Sequence, residues 1–202
     1  NVGIGIAAPT AKLHIQAPDN TDLMRFTVVG NEMWAFKGAS AAGYNDTVSF
    51  GIAGGTQAMA WDENGIVTKP NQPAFHAMSG VGITNTSTFP VTIVEFSSAL
   101  LNTGGHYSTT NDRFTAPVAG VYKFSVGFMS NGSIPNRFGF FKNGGIQGNV
   151  GYAIASAYQR TTYELCIALA VNDYVDFRTN INSGTEGSVH ADYRYFTGYL
   201  IG

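Results

Sequence analysis

The chain has 202 residues, 44% of them hydrophobic and 13% aromatic, with 25 glycines, 7 prolines, one cysteine and 12% charged residues. A net charge of -2 provides no field for a phosphate backbone, the apolar content is too high for disorder, and no apolar run approaches the roughly 18 residues of a membrane helix, so nucleic-acid binding and membrane insertion are not expected. Charged residues are about half the usual share, so the surface must either be hidden in an oligomer or belong to an all-β fold with many tight turns, and both are expected.

Asn1 stands where an initiator Met would, with no basic-then-apolar leader after it, which reads as an internal or C-terminal piece of a longer protein. Short strands are predicted at Val2–Ile6, Lys12–Ile15, Leu23–Val29, Glu32–Phe36, Thr47–Ile52 and Met59–Asp62, separated by glycine-rich breaks such as Gly54-Gly55. About 70 residues of this kind bury only about 60% of their surface alone, and three chains together would supply the rest. Lys69-Pro70-Asn71-Gln72-Pro73 carries two prolines, which cannot sit in a central strand, so it reads as a linker. The division is a β-rich segment over 1–69, a linker over 70–73 and a second domain over 74–202.

Beyond the linker the hydrophobic period is two, the mark of strands. Tyr122, Phe124, Val126 and Phe128 alternate with Val121, Lys123, Ser125 and Gly127. Tyr163, Leu165, Ile167, Leu169 and Val171 alternate with Thr162, Glu164, Cys166, Ala168 and Ala170; both sides are mostly uncharged, as in a strand between two layers or against another subunit. The last strand sets Tyr193, Tyr195, Thr197, Tyr199 and Ile201 opposite Arg194, Phe196, Gly198 and Leu200. Turns fall at Asn131-Gly132, Asn143-Gly144-Gly145, Asn172-Asp173 and Asn182-Ser183-Gly184. Seven or more strands in about 130 residues predict a two-sheet sandwich or jelly roll.

Signals for chemistry are sparse. His14, His76, His106 and His190 fall in no metal-ligand spacing, and Cys166, between Leu165 and Ile167, reads as an inert buried thiol. No nucleophile elbow or phosphate loop is present, so no catalytic residue is assigned. Asp173, Asp176, Glu186 and Asp192 are the carboxylates that a glycoside-hydrolase reading would need the fold to pair.

Phe96, Asn102, Tyr107, Phe114 and then Gly120-Val121-Tyr122-Lys123-Phe124 stand at spacings that resemble the C1q globular head, a trimeric jelly roll related to the tumour necrosis factor fold. Gln72-Pro73-Ala74-Phe75, Thr115-Ala116-Pro117, Phe141-Lys142-Asn143-Gly144, Val171-Asn172-Asp173-Tyr174-Val175 and Phe196-Thr197-Gly198-Tyr199-Leu200 agree with it, so the resemblance spans 73–202. Val126 departs from it by replacing an aromatic, a gap that Phe128 is expected to fill. The resemblance implies a homotrimer with the terminal strand in the sheet nearest the three-fold axis. Tyr193, Tyr195 and Tyr199 then serve subunit packing rather than sugar stacking, and with Tyr122 and Phe124 make up the expected trimer interface. Such heads often bind calcium; no cofactor is expected from the residues themselves, and an ion held across three subunits is the one candidate.

The opening Asn1-Val2-Gly3-Ile4-Gly5-Ile6, with Pro9-Thr10-Ala11-Lys12-Leu13-His14-Ile15, resembles a segment of bacteriophage tail fibres and tailspikes, and Asp62–Pro70 is similar to joints in phage structural proteins. Together the resemblances imply a trimeric viral fibre tip, extracellular on the virion, joined through its N-terminal side to other tail proteins. In the related fold the C-terminal end of the last strand lies near the entering chain, together with the turns at Asn172-Asp173 and Asn143-Gly144-Gly145. The opposite, longer loops carry Ser133, Asn136, Arg137, Tyr158, Gln159, Arg160, Thr185, Glu186 and His190, the expected contacts to a host glycan or outer-membrane protein. The alternatives are a structural trimerisation clamp without receptor contact and a glycan-degrading tip.

Overall fold

The computed structural model describes residues 1–16, 21–28, 31–39, 47–52, 57–62, 64–78, 92–131, 136–153, 160–181, 188–189 and 194–202, and every element among them is a strand. The chain forms two compact units, Asn1–Asn71 and Gln72–Gly202.

In the first unit β1 (Val2–Ile4) and β2 (Leu13–Ile15) make a parallel two-stranded ribbon. β3 (Thr21–Val28), β4 (Asn31–Ala39), β5 (Thr47–Ile52), β6 (Gln57–Trp61) and β7 (Val67–Thr68) follow as an antiparallel meander in sequence order. The turn between β6 and β7 is set by Asp62, whose carboxylate accepts the Asn64 and Ile66 amides at 3.0 and 2.7 Å.

In the second unit one sheet runs β10 (Ser98–Thr103), β8 (Ala74–Met78), β19 (Tyr195–Leu200), β13 (Gly120–Asn131), β16 (Arg160–Leu169), with β18 (Ser188–Val189) on β13. The facing sheet runs β11 (Tyr107–Ser108), β12 (Arg113–Thr115), β17 (Tyr174–Ile181), β14 (Asn136–Lys142), β15 (Gly145–Ala153), with β9 (Thr92–Ile93) on β17. Period-two alternation sends Phe75, Tyr122, Phe124, Val126, Phe128 and Phe196 of the first sheet against Phe114, Phe138, Phe140, Val175 and Phe177 of the second, all of them buried. Val126 and Phe128 are both buried, the Phe128 ring 4.1 Å from that of Phe138.

The spaced residues acquire physical roles here. Asn102 accepts the Tyr107 amide at 3.0 Å and donates to the Tyr107 carbonyl at 2.9 Å, tying off a turn through Gly104 and Gly105, both at positive φ. Tyr107 then stacks on Phe75, with ring centroids 4.7 Å apart. Ala116 donates to the Asp173 carbonyl and accepts from Asn172, and Tyr122 donates its hydroxyl to Val118. Arg194 is fully buried near Glu95 and Asp112, and burial lowers its pKa to about 10.

Candidate functional site

The two outer faces of the sandwich differ in what covers them. On the face of the β11-β12-β17-β14-β15 sheet, Arg178 grips Asp176 through two hydrogen bonds of 2.6 and 2.9 Å and lies 4.6 Å over the Phe141 ring. Arg113 lies 4.5 Å over Tyr174. Stacked guanidinium planes thus shield this face's own aromatics, and Phe141 is buried although it points outward.

Among the described residues the face of the β10-β8-β19-β13-β16 sheet is covered less completely, with Arg160 over Tyr195 but Tyr199 and Val121 left open. Strand register sets Lys123 between Cys166 and Tyr199, Ser125 between Glu164 and Thr197, and Gly127 between Thr162 and Tyr195. Tyr199 is 46% exposed and Val121 42% exposed. Lys123 meets Glu164 at 3.2 Å, and the carboxylate raises the ammonium pKa. Gly127 is required beneath Tyr195, because a Cβ there would stand 2.3 Å from the ring. That ring stacks with His76 at 6.0 Å, and Arg160 sits 5.7 Å from its centroid.

A second uncovered surface runs along the β16 edge. Tyr163, Leu165 and Ile167 point inward and pack on the core, yet each is only partly buried, unlike their β13 partners Tyr122, Phe124 and Val126. Among the described residues nothing closes the sandwich at this seam.

The two ends of the second unit also differ. Val121 donates to Gly202, Leu200 donates to Pro73, and the Asn143 amide donates to the Tyr174 carbonyl, so the entering chain, the C-terminus and two tight turns share one end. Asp173 closes it by accepting from Lys142 at 2.8 Å, Asn143 at 2.6 Å and the Ala170 amide at 2.7 Å, and these partners, Lys142 first, lower its pKa to about 2. The end sorting expected from the resemblance is therefore what the hydrogen bonds show.

Of the expected contact residues, Asn136 and Arg137 begin β14, paired with Ile181 and Asn180, and Arg160 begins β16, paired with Met129; all three lie at the end opposite the chain entrance, in different sheets. Ser133, Tyr158, Gln159, Thr185, Glu186 and His190 lie outside the described residues, as does Tyr193. Tyr195 and Tyr199 face outward on the uncovered sheet, whereas Tyr122 and Phe124 correct the expected interface. Both have no exposed surface within a single chain, so neither has area to lose to a neighbour. Cys166 is a second correction: it is exposed, because Leu165 and Ile167 take the inward side of the strand and leave the thiol outside. The His76–Tyr195–Arg160 array was missed, although Gly127 inside an alternating run was a signal for it.

Asp173 and Asp176 are each engaged by a cation, and Glu186 and Asp192 lie outside the described residues. Among the described residues no group of three His, Cys, Asp or Glu side chains is assembled.

Among solved structures, the globular domain of zebrafish complement 1qA protein is similar to this chain, with 21% identity and a TM-score of 0.50 over 65% of this chain and 98% of that one. Murine APRIL follows with 11% identity and a TM-score of 0.46, over 64% and 99%. Eiger TNF from S. frugiperda has 12% identity and a TM-score of 0.42, over 65% and 94%. A search of curated proteins gives no match. Residues 74–201 match the family model of the C1q domain, the span that holds the whole aromatic core and both uncovered surfaces, and with well over half of its length so matched the chain belongs to the C1q domain family.

Proposed function

We propose that this chain is the tip of a homotrimeric bacteriophage tail fibre, a virion protein whose C1q-like head recognises the bacterial surface. The observation that carries the assembly is the pair of unlike uncovered surfaces: the face of Tyr199 and Val121, and the open seam of Tyr163, Leu165 and Ile167. Two different patches on one subunit associate head to tail, and such contacts close into a ring when the rotation allows. C1q-like and TNF-like heads form rings of three. Covering the seam completes the core, and covering the face hides Tyr199 and Val121.

The virion setting rests on the tail-fibre resemblance of the opening segment. Recognition is assigned to the end of the head opposite the chain entrance, where Arg137 and Arg160 begin their strands. Three copies of a weak site raise avidity by roughly 10² to 10⁴. The head acts as a binding module rather than an enzyme; a surface glycan or an outer-membrane protein suits its arginine, tyrosine and amide groups. The test is adsorption of the purified trimer to a panel of bacterial strains, with Arg137→Ala, Tyr158→Ala and Arg160→Ala combined. Binding that the triple variant loses supports the assignment. A trimer that binds but ignores the substitutions overturns the loop assignment, and one that binds no strain leaves the clamp as the head's role.

A further inference from the structure

Two asparagine–glycine pairs stand in turns between described strands, and they are held in opposite ways. Asn143-Gly144 joins β14 to β15, with both residues at positive φ. The Asn143 side chain is gripped at both ends: Nδ2 donates to the Asp173 carboxylate at 2.6 Å, and Oδ1 accepts the Tyr174 amide at 2.9 Å. Its backbone amide donates to the Tyr174 carbonyl at 3.0 Å. Asn64-Gly65 lies in the turn between β6 and β7. The Asn64 backbone amide donates to Asp62, but among the described residues no partner holds its side chain, and both residues of the pair are exposed. Gly65 takes φ 77° and has nothing within 4 Å of the place a Cβ would occupy. Its amide donates to the Asp62 carbonyl at 3.0 Å. That bond closes the turn into β7, a two-residue exposed strand at the edge of its sheet, where local opening costs least.

We propose that Asn64 is a self-modification site, converted by water into an aspartyl or isoaspartyl residue, while the fold protects Asn143. The nucleophile is the Gly65 backbone nitrogen, which no side chain of its own residue screens. Hydroxide takes the proton from this nitrogen, which bonds to Asn64 Cγ, and the Cγ–Nδ2 bond breaks to release ammonia. Water then opens the resulting cyclic imide at either of its carbonyls. Amide and water thus become carboxylate and ammonium, with no oxidant or cofactor. The ring closes only when the asparagine side chain swings its Cγ onto the following nitrogen. Asn64 needs one exposed turn to open. Asn143 must first break two side-chain hydrogen bonds, one of them to a carboxylate, which slows it by roughly tenfold to a hundredfold. The product changes the turn. A new carboxylate enters beside that of Asp62, which already accepts the Asn64 and Ile66 amides, and the isoaspartyl form adds a backbone carbon between β6 and β7.

The full chain is incubated in mildly alkaline heavy-oxygen water, once folded and once in guanidinium chloride. Peptides covering both pairs are followed by mass spectrometry for heavy-oxygen uptake and by chromatography for isoaspartate. In the folded chain Asn64 should convert at least about tenfold faster than Asn143, and in denaturant, where the fold holds neither, the two should convert at comparable rates. Asp173→Ala removes the Nδ2 partner, so it should speed conversion at Asn143 and leave the rate at Asn64 unchanged. The comparison within the parent chain decides the proposal whether or not this variant folds. Conversion of Asn143 as fast as that of Asn64 in the folded chain overturns the protection. An Asn64 that converts in denaturant but not in the folded chain overturns the site.

Discussion

Gly198 lies directly against the rings of the head's core, and Gly198→Ala tests that packing. A Cβ there would stand 2.4 and 2.7 Å from two atoms of the Phe124 ring and 2.7 Å from Phe75. Ordinary contact begins near 3.4 Å, so the Phe124 ring would have to recede by 1.0 Å, the difference between 3.4 and 2.4. It has nowhere to go: the rings of Phe75, Phe114, Tyr122, Phe140 and Phe196 all have centroids within 6.4 Å of its own. Overpacking a dense core costs about 1–3 kcal/mol, and two obstructing rings put this site near 3. At a urea m-value of about 2 kcal/mol/M the midpoint falls by roughly 1.5 M. Gly139→Ala is the control, because a Cβ there finds Phe141 and Ile146 at 3.6 and 3.7 Å, ordinary contact. Its midpoint should move by less than about 0.5 M. Both are measured by urea unfolding at one protein concentration, since assembly contributes to the apparent stability. A Gly198→Ala midpoint equal to the parent's would refute the packing argument.

Two further outcomes follow from the charges on the head. Asp173 has its pKa lowered from 3.8 to about 2, so the stability it contributes is fully present above about pH 4 and is lost as pH falls toward 2; Asp173→Asn should be less stable at pH 7 and lose less across that window, as followed by thermal melts at stepped pH. Tyr199→Asp places a carboxylate opposite Lys123 on an exposed face, harmless to one sandwich but desolvated under a neighbouring subunit. Sedimentation should find a folded monomer whose melting no longer depends on concentration, and a stable trimer would remove this face from the interface.

The strands of the head and the turns at Asn143-Gly144 and Asn172-Asp173 were legible because period two and the Asn-Gly and Asn-Asp pairs are local signals, while the turns expected at Asn131-Gly132 and Asn182-Ser183-Gly184 reach outside the described residues. What alternation does not supply is phase. It divides β13 into Tyr122, Phe124 and Val126 on one side and Val121, Lys123 and Ser125 on the other, and both sides begin with a large apolar residue. The structure decides by volume: Phe114, Phe140 and Phe196 leave a space between the sheets that rings fill, so Tyr122 and Phe124 turn inward and Tyr199 and Val121 stay exposed on the outer face. The same ambiguity explains Cys166, since Tyr163, Leu165 and Ile167 outweigh it on the inward side. Arg194 was on the core side of the last strand in the alternation, but its burial near Glu95 and Asp112 joins residues far apart in sequence. Lys142 with Asp173 is likewise a long-range pair that only the fold creates.

The strand β16 links folding to assembly. Its inward residues belong to the core of one chain but remain partly exposed at the open seam, while its outward residues Thr162, Glu164, Cys166 and Ala168 carry one low charge density into the uncovered face. A strand with only Arg160 and Glu164 charged among its ten residues is poorly suited to a solvated edge, where natural sheets place charges, prolines or a covering loop. Its two outward charges are both engaged inside the same chain, Glu164 by Lys123 and Arg160 over the Tyr195 ring. A neighbour that covers the seam therefore completes the hydrophobic core and removes an exposed sheet edge in the same step. Under the assembly proposed above, stability and oligomeric state become one property: separating the subunits would reopen the core at Tyr163, Leu165 and Ile167.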